Sequence, residues 1–199
     1  MAKAWTRLVS PSDAEALLAP LLEAALARLE VDGAESLNLR DLARGAGVSH
    51  RKLVRNFPDQ LSLLARIAEE GWRLAIERIV TETAGAAAGE EMLVAGGTAL
   101  FQFARERPNL FHLMTGPRVA NEDKFPDVAA ATADALAMFA QGFSGLALPP
   151  DTARERAAMF VAALQGVTTQ MLQRQLHVAP ARSKGFMTEV CRRLIKGLR

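Results

Sequence analysis

A short stretch of this 199-residue chain concentrates basic side chains of the kind that bind phosphate. Five Lys or Arg residues lie between Arg40 and Arg55, against the single acidic residue Asp41. Basic, imidazole and amide groups donate hydrogen bonds to phosphate oxygens and to the major-groove edges of guanine and adenine. The segment therefore indicates contact with double-stranded DNA. The candidate contact residues are Asn38, Arg40, Ser49, His50, Arg51, Lys52, Arg55 and Asn56.

Catalytic chemistry has much weaker support in the sequence. The three histidines, His50, His112 and His177, have no partner at metal-ligand spacing, and there is no HExxH motif. No glycine-rich phosphate loop and no G-x-S-x-G motif occur either. The paired glutamates at 69–70 and 90–91 are adjacent in sequence, so they point to different sides of a helix. We expect no metal or cofactor, and an enzyme is the third alternative.

The composition limits how the protein can bind nucleic acid and in which compartment it is expected. The net charge is only +2, so any affinity for nucleic acid must come from a local patch. The single cysteine, Cys191, excludes an intramolecular disulfide framework, which favours a reducing, cytoplasmic setting. No uncharged apolar run reaches the roughly 18 residues that a membrane span needs, so we expect no membrane span.

Two short helices must position the basic side chains, and the sequence predicts them at 39–45 and 49–56. Gly47 permits a tight turn between them, while Leu53 and Phe57 anchor the second helix. Leu42 and Val48 complete the apolar side of this pair. Such a helix-turn-helix lays its second helix in a major groove.

Helical periodicity continues through the rest of the chain, and alternation typical of strands is missing. Further helices are predicted at 12–30, 60–83, 90–107, 108–115, 125–143, 151–176 and 180–198. The predicted fold is therefore all-α with about nine helices. We expect a helix-turn-helix DNA-binding domain at 1–59 and a larger helical domain at 60–199.

Three segments carry a recognisable pattern, namely AALARLEVDG at 24–33, LNLRDLARGAGVS at 37–49 and LVRNFPDQLSLL at 53–64. Through them the chain resembles the TetR family of transcriptional repressors. In the second half, FQFARERPNLFHLMTGP at 101–117 is similar to a subgroup of the family's C-terminal domains. The resemblance implies three N-terminal helices for DNA and a C-terminal part for ligand binding and dimerisation.

The chain departs from the family pattern at several positions. Val54 stands where the family usually has an aromatic residue, and Gln60 where it usually has lysine. Arg51 and Lys52 replace a frequent Gly-Thr pair. Of the subgroup's Trp-x-x-x-His-Gly motif, this chain retains only the glycine, Gly166. We favour a role for Gly166 in close helix packing. Val54 and Gln60 support an alternative, a helical interaction protein with a degenerate DNA-binding domain.

The resemblance implies that the protein binds a pseudo-palindromic operator as a homodimer. A small-molecule effector would then release the protein from the operator. A pocket with no tyrosine and few charges favours an apolar or aromatic effector. Candidate ligand-binding residues are Phe101, Phe111, Met114, Met138, Phe139, Gln165 and Thr169, with ordinary core packing as the alternative for each. Candidate dimer-interface residues on the last two helices are Phe160, Leu164, Val167, Met171, Phe186, Val190 and Leu194.

Overall fold

The computed structural model describes residues 11–199, with side chains from Ala19 onward except that of Lys52. Within that range the fold is all-α, as predicted, and contains nine α-helices joined by turns and three short 3₁₀ segments. The helices are α1 (Pro11–Asp32), α2 (Leu39–Gly45), α3 (His50–Asn56), α4 (Gln60–Thr83), α5 (Glu90–Glu106), α6 (Pro108–Thr115), α7 (Pro126–Ser144), α8 (Pro150–Leu172) and α9 (Ser183–Leu198).

Helix α1 packs through one apolar stripe. Leu21, Ala25 and Leu29 recur at helical spacing and are almost completely buried. The helix ends at Asp32 because Gly33 adopts a φ of 78°, a left-handed conformation that other residues disfavour. The predicted first helix at 12–30 is thus confirmed in its position, and it is slightly longer than expected.

Helices α2 and α3 form the predicted helix-turn-helix. Gly47 takes a φ of 64° in the turn, and the Val48 N–H donates to the Ala43 carbonyl at 2.8 Å. Leu42 and Leu53 are both buried in the core cluster that also contains Leu21, Ala25 and Leu29 of α1. The tight turn and the shared core fix the angle at which α3 leaves α2.

Helix α4 joins the first three helices to the rest of the molecule. The Asp59 carboxylate caps its start, accepting from the Ser62 N–H at 2.7 Å and the Ser62 hydroxyl at 2.6 Å. Its buried face carries Ile67, Trp72 and Ile79. The helix contacts α1 on one side and α5, α6 and α7 on the other. A displacement of α4 would therefore change its contacts both with the N-terminal helices and with the later helices.

Helices α5 to α9 form a bundle with α5 at its centre. Gly97 lets α5 approach its neighbours closely, because a Cβ there would lie 2.8 Å from Cys191 Sγ and 3.0 Å from Leu164 Cδ1. Phe160 of α8 packs against the rings of Phe139 and Phe143, each with a centroid separation of 5.7 Å. This packing joins α7 and α8 through aromatic contacts.

Two helix ends in the second half differ from the prediction. Helix α8 ends at Leu172 rather than at 176, since Arg174 adopts a left-handed φ of 59° and the Gln175 N–H turns back to the Gln170 carbonyl. The last helix begins at Ser183, after a 3₁₀ turn over Pro180–Arg182. No described helix is both long enough and apolar enough to cross a membrane.

Candidate DNA interface and ligand cavity

Helix α3 presents two arginines away from the core. Leu53 and Phe57, one turn apart, are 2% and 5% exposed and hold the helix against the bundle. Arg51 and Arg55 therefore point to the opposite side, and both are exposed. Neither has a carboxylate within ion-pair distance in the described part of the chain. The Lys52 side chain, predicted to act with them, lies outside the described residues.

The remaining predicted contacts lie around this helix. Arg40 of α2 is exposed, as is His50 at the start of α3. Ser49 precedes α3, and its carbonyl accepts the Leu53 N–H at 3.1 Å, while Asn56 is half-buried at the end of α3. The fold thus brings these residues to the helix-turn-helix, and their contact with DNA stays a prediction.

Asn38 has a structural task at the start of α2. Its Oδ1 accepts the Asp41 N–H at 2.9 Å, and its amide donates to the Asp41 carboxylate at 2.5 Å. Asp41 also lies 3.5 Å from a guanidinium nitrogen of Arg44. The acid in this basic segment is therefore paired locally, which leaves Arg51 and Arg55 of α3 unneutralised.

The two positions that depart from the family pattern have different surroundings. Val54 is 38% exposed on α3. Gln60 is half-buried, and its amide donates to the Leu37 carbonyl at 2.6 Å and to the Ala34 carbonyl at 3.4 Å. Gln60 thus fastens the start of α4 to the turn before α2, a structural role that the sequence did not reveal.

A cavity of about 340 Å³ lies between α4, α6, α7 and α8. Its lining residues are Trp72, Met114, Thr115, Gly116, Val119, Ala120, Glu122, Val128, Ala129, Thr132, Ala133, Leu136 and Gln165. Trp72 is 2% exposed, and its indole N–H is buried without a hydrogen-bond partner in the described part of the chain. This volume falls in the range of small-molecule sites, about 300–1,000 Å³.

A second cavity of about 300 Å³ lies where the α8–α9 connection crosses α5. It is lined by Phe101, Arg105, Met171, Leu172, Arg174, Leu176, His177, Val178, Pro180 and Ser183. The Arg105 guanidinium donates to the Ser183 hydroxyl at 2.7 Å and lies 5.9 Å from the Phe101 ring centroid. The Arg105 guanidinium is thus already engaged by a hydroxyl group and an aromatic ring.

The predicted ligand-binding residues do not converge on one cavity. Met114 and Gln165 line the larger cavity, and Phe101 lines the smaller one. Phe111 and Phe139 belong to the core, while the half-buried Met138 and Thr169 line neither cavity. Sequence reasoning missed Trp72, Val119, Val128 and Leu136, because only the crossing of four helices brings them together.

Reciprocal hydrogen bonds tie the wall of the larger cavity to α1. The Glu30 carboxylate accepts the N–H groups of Asn109 at 3.2 Å and Leu110 at 2.9 Å, at the start of α6. The Asn109 amide donates to the carbonyls of Leu29 at 3.0 Å and Glu30 at 3.1 Å. Glu30 thus pairs N–H groups in the first turn of α6, and Asn109 adds a second hydrogen bond to the Leu29 carbonyl, which also accepts the Gly33 N–H at 2.9 Å. We call this set of bonds the Glu30–Asn109 clamp.

The predicted interface residues divide into two groups. Phe160 and Leu164 are 0% and 2% exposed within one protomer, so they belong to its core and have no surface left for a partner. The other five, Val167, Met171, Phe186, Val190 and Leu194, are half-buried. A Cβ on Gly166 would meet nothing within 4 Å, so this glycine permits no close packing within the protomer.

Cys191 has the character of a structural residue. It is fully buried beside Gly97, and burial raises the pKa of its thiol to about 12. A thiol with so high a pKa is a poor nucleophile and a poor metal ligand. No group of three or more His, Cys, Asp or Glu side chains suited to a metal ion occurs among the described residues.

Comparison with known proteins identifies the family. The family profile described as tetracyclin repressor-like, C-terminal domain, matches residues 93–194, which is more than half of the chain. The comparison with curated proteins gave no match. A solved structure of a protein with unknown function from Rhodococcus sp. RHA1 is similar at 26% identity and a TM-score of 0.75, covering 95% of this chain and 98% of that one.

Two further solved structures share the fold at lower identity. A TetR transcriptional regulator from Rhodococcus sp. RHA1 is 18% identical with a TM-score of 0.74, covering 94% of this chain and 97% of that one. The regulator FadR from Bacillus subtilis, in complex with stearoyl-CoA, is 15% identical with a TM-score of 0.67, covering 91% and 97%. On the profile match and the shared all-helical fold, the chain belongs to the TetR family of transcriptional regulators.

Proposed function

We propose that this protein is a ligand-responsive transcriptional repressor that binds a pseudo-palindromic operator as a homodimer in the cytoplasm. The observation that carries the proposal is the orientation of α3, which buries Leu53 and Phe57 and turns Arg51 and Arg55 outward. A helix anchored on one side and basic on the other fits the recognition helix of a helix-turn-helix protein. Residues 1–59 would form the DNA-binding domain and residues 60–199 the regulatory domain.

Apolar side chains on α8 and α9 support the homodimer. Val167, Phe186, Val190 and Leu194 are half-buried in the protomer, and Met159 is 52% exposed. A twofold partner would cover them in a four-helix interface, and Gly166 would let the two copies of α8 approach closely. The dimer would then present its two α3 helices about one DNA turn apart, roughly 34–36 Å or somewhat more.

The larger cavity supports regulation by a small molecule. The similarly folded FadR binds stearoyl-CoA, so this fold can house a ligand. In the present chain the cavity walls include α4, which follows α3 directly, and α6, which the Glu30–Asn109 clamp joins to α1. A small molecule bound in this cavity would change the distance between the two α3 helices of the dimer. It could do so only if it binds the dimer at one such distance more tightly than at the other.

One alternative keeps the fold without DNA binding. Val54 replaces an aromatic residue and Gln60 is engaged with the Leu37 carbonyl, so two usual phosphate contacts are missing. We favour the regulator because Arg51 and Arg55 supply cationic groups on the same helix. Members of the family act by binding rather than catalysis, which disfavours the enzyme alternative.

Binding to the DNA upstream of the protein's own gene tests the proposal. We expect Arg51→Ala and Arg55→Ala each to weaken binding, measured by fluorescence anisotropy, by at least tenfold in the dimer. Hydrogen bonds to charged groups contribute about 1.5–3 kcal/mol each, and each substitution removes two of them. Arg154→Ala, an exposed arginine at the start of α8, is the matched control and should bind like the wild type. Equal affinity of all four proteins would refute the assignment of α3.

A further inference from the structure

The smaller cavity, where the α8–α9 connection crosses α5, has an apolar interior and a basic rim. Phe101 and Ser183 form its floor and are 1% and 3% exposed. Its walls are four half-buried apolar side chains, Met171, Leu172, Leu176 and Val178. Arg105, Arg174 and His177 also line the cavity and are exposed. A molecule seated here would meet apolar surface inside and basic groups at the opening to solvent.

The guanidinium group of Arg105 is held at the wall of this cavity. It donates to the Ser183 hydroxyl at 2.7 Å, and its central carbon lies 5.9 Å from the centroid of the Phe101 ring. Ser183 and Phe101 both line the cavity, so these contacts place the charged group itself beside the interior. A guanidinium has five N–H donors, and the side chain is exposed, so further donors remain for a ligand. Their planar fork matches the two oxygens of a carboxylate.

The three basic side chains of the rim are not neutralised by the protein. None of them has a carboxylate within ion-pair distance in the described part of the chain, and residues 156–188 contain no Asp or Glu. The acids next to this stretch pair elsewhere, Glu106 with Arg78 at 3.1 Å and Glu189 with Arg193 at 2.7 Å. The opening of the cavity therefore carries an excess of positive charge, which attracts an anion.

The backbone of Arg174 supports a role for its side chain. Arg174 follows α8 with a left-handed φ of 59°, and the N–H groups of Gln175 and Leu176 both turn back to the Gln170 carbonyl, at 2.8 and 3.1 Å. Glycine is the usual residue in this conformation after a helix, because a side chain disfavours it. Here the position carries an arginine that lines the cavity, and a contribution to binding would account for that choice.

We propose that the smaller cavity is a second ligand site, which binds a small amphipathic carboxylate. The apolar body lies against Phe101 and the four apolar walls, and the carboxylate accepts hydrogen bonds from the Arg105 guanidinium at the rim. The carboxylate stays partly hydrated there, so the ion pair does not have to offset a complete loss of solvation. The described linings of the two cavities share no residue. The inference therefore goes beyond the proposed function and does not depend on DNA binding.

Methionine methyl signals in nuclear magnetic resonance report which cavity is filled. Met171 lines the smaller cavity and Met114 the larger one, so protein labelled with ¹³C at the methionine methyl groups carries a reporter in each. Met171→Leu and Met114→Leu assign the two signals. The probes are octanoate, its neutral analogue octanamide, and acetate, which has the charge without the apolar body. We expect octanoate to move the Met171 signal to saturation and to leave the Met114 signal in place.

The same titration measures what the charge and the apolar body contribute. Octanoate should bind at least fivefold more tightly than octanamide, because only the carboxylate forms an ion pair with the guanidinium. Acetate should bind at least tenfold more weakly than octanoate, because it buries no hydrocarbon chain. Arg105→Gln should weaken octanoate binding at least fivefold and change octanamide binding less than twofold. Arg182→Gln, which removes an exposed arginine outside the described lining, is the matched control and should keep both affinities.

Several outcomes would overturn the inference. Octanoate could move only the Met114 signal or neither signal, or it could bind no more tightly than octanamide or acetate. Wild-type affinity of Arg105→Gln for octanoate would contradict it as well. The comparison of octanoate with octanamide uses the wild-type protein, so it decides the matter even if Arg105→Gln fails to fold. None of these results alters operator binding by the ligand-free protein, so failure of the proposed function would appear in the DNA assay instead.

Discussion

Single residues decide how the basic helix is presented. Asn38 and Asp59 cap α2 and α4, the helices on either side of α3, and Gln60 fastens α4 to the preceding turn. Asn38 and Asp59 are exposed and Gln60 is half-buried, and together they hold the helix ends on both sides of α3. At this scale the sequence allows such caps to be recognised, because each capping side chain accepts an N–H only three residues further along. It did not predict the role of Gln60, whose acceptors lie 23 and 26 residues away.

The cap on α4 makes a pH-dependent contribution to stability. Hydrogen bonds from the Ser62 side chain and backbone lower the pKa of Asp59 in the folded protein. A folded pKa below the unfolded value, about 4, means that this stabilisation is present above pH 4. It is lost as the pH falls through the folded pKa. We expect Asp59→Ala to lower the free energy of unfolding by about 1 kcal/mol at pH 7.

Urea denaturation at several pH values checks this prediction. The difference between the wild type and Asp59→Ala should shrink as the pH falls from 6 to 3. Asp123→Ala is the matched control, since Asp123 is exposed in the turn before α7 and caps no helix. A difference that stays constant with pH would show that the Asp59 charge contributes nothing.

Pairs of helices show where prediction from sequence reaches its limit. Helix α1 was predicted from its apolar stripe, since periodicity within one helix is visible in the sequence. The end of α8 was not, because Gln173 and Gln175 are good helix formers and Arg174 takes its left-handed conformation without a glycine. The cavity was predicted only in part, since Trp72 and Val128 meet through tertiary packing alone.

The Glu30–Asn109 clamp joins the end of α1 to the start of α6. We expect Asn109→Ala to remove two hydrogen bonds to the end of α1 and to lower the free energy of unfolding by about 1–3 kcal/mol. In a Trp5→Phe background, fluorescence follows the bundle through Trp72, while circular dichroism follows all helices. The fluorescence and circular dichroism curves should coincide in the Trp5→Phe protein. They should separate when Asn109→Ala is added.

The control for the clamp is Asn121→Ala. Asn121 is exposed, and its side chain accepts only the nearby Lys124 N–H. This variant should keep coincident curves with a nearly unchanged midpoint. If Asn109→Ala also keeps coincident curves and full stability, the clamp does not couple α1 to α6.

The whole molecule is proposed to work as a twofold dimer. Val190 lies on the half-buried apolar face of α9, and a glutamate there would be buried without a partner in the interface. We expect Val190→Glu to raise the dimer dissociation constant at least 100-fold, which light scattering at micromolar concentration detects as a monomer. Val80→Glu, at a position on α4 that is 54% exposed, should remain dimeric. A monomeric wild type would remove the twofold proposal.

The salt dependence of operator binding tests the central claim most directly. Three phosphate or base contacts per subunit predict a slope of log affinity against log salt of about −5 for the dimer. Arg51→Ala and Arg55→Ala each remove one contact per subunit, so each slope should become less steep by about 2. Arg154→Ala should keep the wild-type slope. If the two α3 variants also keep the wild-type slope and bind with undiminished affinity, α3 is not the helix that binds DNA.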